Sequence, residues 1–261
     1  MHMADALLTP AVAGVMYAAS AVVAGASIVE LHKEEKQDLT SAAKKLPTMA
    51  VMSALVFAGQ MINYTIPGTG SSGHLCGGLL LTSVLGPWAG FLSMIVILTI
   101  QCLFFADGGL LALGANVWNM AFYGCFVGYF LIYRPLMRSR CFARRGERAA
   151  NRLKITLASV LGCVLTLQLG AFSVVLETTL SGITDLPFGA FCAIMQPIHL
   201  AIGLIEGLIT AAVLLFLYEA RPELLRDVRM SGETAGKVSF KGTIAVIAIA
   251  AVLVGGGLPL A

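Results

Sequence analysis

Four histidines are the side chains in this chain best suited to hold a transition metal, and two of them sit in settings that sharpen the chemistry. His2 follows Met1 directly, so a free terminal amine, the backbone nitrogen of His2 and its imidazole can chelate one ion together through five- and six-membered rings. An imidazole from a second histidine would complete a square-planar nitrogen set, which suits Ni(II) or Cu(II); an exposed histidine pair alone would suit zinc as well. His74 stands in "PGTGSSGHLCGG", where glycines and small polar residues let backbone approach a ligand closely. Chemistry alone also allows His2 to be a chance residue behind a start methionine, and both readings stand at this point.

His199 lies about ten residues into an apolar run, with Glu206 seven residues later on the same helical face. Ionisable groups inside a membrane are costly without partners, so this pair is either functional or a hydrogen-bonded link between helices. His32, beside Lys33, reads as a solvated or headgroup-level residue. Asp5, Asp107 and Asp185 fall in segments free of Lys and Arg, where they would draw cations or simply cap helices, as Asp107 could before Gly108-Gly109. Gln60 with Asn63, and Asn116 with Asn119, each share a helix face at i, i+3. With Gln101, Gln168 and Gln196 they either bond neighbouring helices or orient the histidines. The six cysteines stand singly, with no CxxC pair, and read as buried thiols.

The elements that position these residues follow from composition. Of 261 residues 58% are hydrophobic and 12% charged, and the mean hydropathy is +0.87. Such a chain cannot cover a water-facing surface, which excludes soluble enzymes and nucleic-acid binders despite a pI near 8.6. Apolar runs fall near residues 11–31, 47–64, 75–86, 87–106, 110–133, 155–180, 189–218 and 242–260. The fold class is therefore all-α, a polytopic transmembrane bundle of about eight segments. Gly86-Pro87 can end one helix and start the next.

All 17 Lys and Arg lie in three loops: Lys33 to Lys45, Arg134 to Lys154, and Arg221 to Lys241. Those loops share one side only if 75–86 crosses, which places the N-terminus outside. A helix of about 12 residues spans only roughly 18 Å, so 75–86 can also be a partial helix lining a cavity. Asp5, where a secretory leader would carry Lys or Arg, argues against a cleaved signal peptide.

Five strings in order, "MHMADALLTPAV", "FAGQMINYTIPGTGSSGHLCGG", "FFADGGLLALGANVWNM", "LQLGAFSVVLE" and "QPIHLAIGLIEGLITAAV", resemble the CbiM/NikM family from Met1 to about residue 225. Members are the substrate-binding membrane subunits of cobalt and nickel energy-coupling-factor importers. The resemblance implies that the N-terminal tail folds back into the membrane domain. It presents its amine and second-position histidine to the metal, with the histidine of the Ser-Gly-His loop as a further ligand: here Met1, His2 and His74. Met3 stands where the family usually has Ile, and its thioether could meet a soft metal or pack. Cys76 could be a fifth ligand or a small residue at a tight helix start.

The resemblance divides the chain into a metal-binding domain, residues 1–225, and residues 226–261, a cytoplasmic linker plus an extra helix like one that relatives fuse or encode separately. It also implies partners: a coupling membrane subunit, ATPase subunits, a small accessory membrane protein where one is encoded separately, and the lipid of the cytoplasmic membrane. The chain offers no ATPase of its own, because "GETAGKVS" from Gly232 has three residues between its glycines where a P-loop needs four, and Val238 where Ser or Thr belongs. Two rival functions remain: a self-sufficient carrier with His199 and Glu206 as proton relay, and an intramembrane metalloenzyme, for which no HExxH motif exists. The expectation is a transporter subunit without cofactor whose cargo is Co(II) or Ni(II), and the sequence does not choose between the two metals.

Overall fold

Inside a bilayer only a helix satisfies its own backbone along the way across, and helices dominate the computed structural model of this chain. It describes residues 1–37, 39–140, 142 and 146–228. The apolar run 242–260, the string from Gly232 and most of the 226–261 segment lie outside the described residues. Helix α1 covers Pro10–Gln37, α2 Leu39–Gln60, α3 Gly78–Leu85 and α4 Pro87–Phe105. Helix α5 covers Leu113–Arg138 and is π-helical over Trp118–Tyr133; α6 covers Glu147–Ser181 and α7 Phe188–Ala220.

Five of these, α1, α4, α5, α6 and α7, are long and apolar enough to cross a membrane unaided. The apolar part of α2, Leu46–Gln60, is shorter. Helix α3 has only 8 residues, about 12 Å of rise. Full-length spans among the described residues therefore do not reach the expected count of eight, and the short third segment is a half-helix. All of its residues are buried.

The two ends of the bundle differ in charge. Past α7, Arg226 gives its N–H to the Ser83 carbonyl at 2.9 Å and its guanidinium to the Leu85 carbonyl at 3.2 Å. It also pairs with Glu34 of α1 at 3.5 Å. Asp227 takes Arg138 of α5 at 2.6 Å, and Glu219 of α7 takes Arg152 of α6 at 2.8 Å. At the opposite end the Thr9 N–H donates to Ser181 Oγ at 3.1 Å, and Asn63 Nδ2 donates to Asp107 Oδ2 at 2.6 Å. The C-terminus of α3 thus stands at the basic end.

Between α2 and α3 the chain forms a feature that the all-α expectation omits, an antiparallel hairpin of β1, Asn63–Ile66, and β2, Ser71–His74, in the register Asn63↔His74. Its exposed edge would leave polar backbone unpaired. The N-terminal tail covers that edge: Met3 bridges Ser71, the Ser72 N–H donates to the His2 carbonyl at 3.2 Å, and the Met1 amine donates to the Ser72 carbonyl. Gly73 lets β2 lie against α7, since a Cβ there would come within 2.7 Å of Tyr64 and 3.1 Å of Ile202.

Candidate metal site

The tail and β2 bring Met1, His2 and His74 together, although 72 positions separate the two histidines. Met1, His2 and His74 are all buried, at 1%, 4% and 0% exposure. The two imidazole rings stand 4.6 Å apart between centroids at an interplanar angle of 36°. His74 Nδ1 is 2.7 Å from the Leu75 carbonyl and must be the protonated nitrogen, so Nε2 keeps its lone pair. That Nε2 is buried without a hydrogen-bond partner, as is Nε2 of His2.

The electrostatics suit ligation. Burial pushes the Met1 amine down from 8.0 to about 6, which leaves it mostly neutral and nucleophilic at pH 7. Burial first, and the neighbouring amine second, hold His2 at about 3. Asp107 faces His2, with Oδ2 3.7 Å from Nε2, and its own carboxyl is raised by burial. A dication entering here would meet the Asp107 carboxyl group beside His2. Among the described residues no three His, Cys, Asp or Glu side chains converge on a metal position. Beside the two imidazoles the tail adds main-chain nitrogen, its terminal amine and first amide, as further donor groups.

Around these donors the tail is clamped. Asn116 accepts the Met3 N–H at 2.8 Å and donates to the Met3 carbonyl at 3.3 Å, and the Gly109 N–H reaches that carbonyl at 2.8 Å. Asp5 accepts the Ala112 N–H at 3.1 Å, so it pins the tail instead of lining the site. Met3 is fully buried, and its sulfur accepts Asn119 Nδ2 at 3.8 Å. Asn119 Nδ2 also donates to Glu177 Oε2 at 2.8 Å. Glu177 escaped the sequence reading; its signal was a single carboxylate near the end of an otherwise apolar run in "LQLGAFSVVLE".

His199 and Glu206 share a face of α7 but do not bond to each other. His199 Nδ1 is taken by the Met195 carbonyl one turn back at 2.8 Å, and Nε2 has no hydrogen-bond partner. Glu206 accepts the N–H groups of Cys76 and Gly77 at 2.6 and 2.9 Å. The shared face was read correctly, but seven residues are two turns, about 10.5 Å of rise, too far for a direct pair. Cys76 contributes its backbone to this arrangement, with its carbonyl accepting Gln60 Nε2 at 2.5 Å.

Fold and site together define a helical membrane protein whose amino terminus is buried beside two imidazoles. The family model described as "Cobalt uptake substrate-specific transmembrane region" (CbiM) matches residues 2–224. The fused nickel transport protein NikMN of Archaeoglobus fulgidus is 40% identical over 264 aligned positions, covering 100% of this chain and 80% of that protein. The cobalt transport protein CbiM of Sorangium cellulosum is 33% identical over 181, covering 69% of this chain and 76% of the other. A crystal structure of a transition metal transporter superposes with a TM-score of 0.70 at 31% identity, covering 84% of this chain and 93% of that one. The chain belongs to the CbiM family, and it is a multi-pass membrane protein.

Proposed function

We propose that the chain captures Co(II) or Ni(II) as the substrate-binding membrane subunit of an ATP-driven energy-coupling-factor importer. The ion is taken from the outer face of the cytoplasmic membrane by the Met1 amine, the His2 amide and ring, and His74. The observation that carries this reading is the burial of a neutral terminal amine beside two imidazoles whose Nε2 atoms have no hydrogen-bond partner. Lys and Arg gathered at one end of the bundle favour a cytoplasmic position for that end and an outward one for the tail.

Energy comes from separate ATPase and coupling subunits, since this chain has no nucleotide loop. Relatives named as fused proteins support assembly with other transport components. The relay alternative loses its support with the separation of His199 from Glu206. Reconstituted alone in liposomes, the chain should bind Ni(II) or Co(II) yet give no concentrative uptake under an imposed proton gradient. Accumulation driven by that gradient in the purified chain would overturn the subunit reading and restore the carrier.

A further inference from the structure

Glu206 lies inside the bundle at 3% exposure, where an uncompensated carboxylate costs several kcal/mol. Its two oxygens meet the Cys76 and Gly77 N–H groups at 2.6 and 2.9 Å. These donors precede α3 and have no carbonyl within that helix to bond, and they lie at the end where a negative charge is favoured. Gly77 has φ of 73° there, and a Cβ on it would come within 2.6 Å of Val56. The same Cys76 peptide is held at its carbonyl by Gln60 of α2. The His74 ring in turn donates to the Leu75 carbonyl, one residue before that peptide. The main chain after His74 is thereby tied to α7 at its N–H groups and to α2 at a carbonyl, and the ring is tied to the main chain.

We propose that Glu206 is a positioning residue for metal capture: acting through the Cys76-Gly77 amides, it fixes where His74 holds its Nε2, without touching the ion. The inference rests on the reading of His74 as a ligand. It gives a role to a buried charge in α7 that neither relay nor ligation accounts for. Glu206→Gln keeps the volume but replaces one acceptor with an NH2 group facing a backbone N–H, so one anchor is lost and the loop shifts. Glu206→Asp keeps both acceptors and shortens the reach.

Calorimetric titration with Ni(II) of the purified full chain, Glu206→Gln, His74→Ala and the double variant tests this. Glu206→Gln should weaken Kd by ~10- to 100-fold, as for groups that orient a ligand, with the fraction of chain able to bind unchanged. Glu206→Asp should recover part of that loss. In the His74→Ala background Glu206→Gln should add nothing, because both act through one ring. Additive losses, a loss confined to the bound fraction, or no loss would each overturn the inference. Absence of Ni(II) binding by the unsubstituted chain would instead overturn the site itself.

Discussion

A terminal amine is ordinarily the most solvated group of a chain, and at Met1 it is enclosed with the side chain packed against α6. A Cβ on Gly170 would come within 2.8 Å of the Met1 sulfur. Burying the amine favours its neutral form, and the same neutrality frees a lone pair for a metal. The pH dependence follows with a definite sign. His2, held at about 3, stays unprotonated over the accessible range. Ligation by the amine, the His2 amide and both rings should release about one proton at pH near 7, that of the amide. A second should appear as the pH falls through about 6, where the ion must displace the amine's own proton. Affinity then falls more steeply below that point, by a further ~10-fold per unit. Ni(II) calorimetry in buffers of different ionisation enthalpy counts these protons. A second proton already appearing just below pH 8.0 would mean an exposed amine. At this scale residue type and predicted side of the membrane singled out His2 and His74 as a pair but left His2 open to chance, and the resemblance to the family selected both as ligands. The amide clamp of Asn116 on Met3 and the Asn119–Glu177 bond were not legible beyond a shared helix face, since their partners lie on other segments.

Three short elements do the positioning: the tail, the β hairpin and α3. The sequence signalled α3 through Gly86-Pro87 and its length, and the structure makes it a half-helix whose N-terminus meets Glu206. The hairpin was hidden because strands of four residues are too short for a period-2 pattern to emerge, and the segment that covers its outer edge is a tail more than 60 residues away. Helix α3 reaches its place by backbone contact with α5. A Cβ on Gly124 would stand 2.9 Å from the Gly78 Cα, and one on Gly78 would stand 3.1 Å from the Gly124 Cα. Leucine at 124 must push α3 away, an overpacking cost of about 1–3 kcal/mol. Gly124→Leu should therefore lower the thermal unfolding midpoint in detergent and weaken Ni(II) binding, because His74 is joined to α3. An unchanged midpoint with unchanged affinity would show that the close approach of α3 and α5 does not hold the site in place.

Over the whole molecule, charge and chemistry are segregated. Arg138, Arg152 and Arg226 tie together the ends of α1, α3, α5, α6 and α7 at one face, while the amino terminus, Asp107 and Ser181 mark the other. Such polarity fits capture on one side of a membrane and engagement of partners on the other. It was legible from the Lys and Arg loops, whereas the depth to which the tail descends was not, because no local pattern encodes a contact with β2. The central claim is that the amino terminus itself binds the metal, and it is tested most directly by extending the chain by one residue before Met1. Such an extension keeps both imidazoles but moves the free amine away and breaks the first chelate ring. Titration calorimetry of the extended and unextended chains with Ni(II) and Co(II) should show the extended chain weakened at least ~10- to 100-fold, about as badly as His2→Ala or His74→Ala. Equal affinity in both chains would contradict the amine's role and leave an ordinary histidine site.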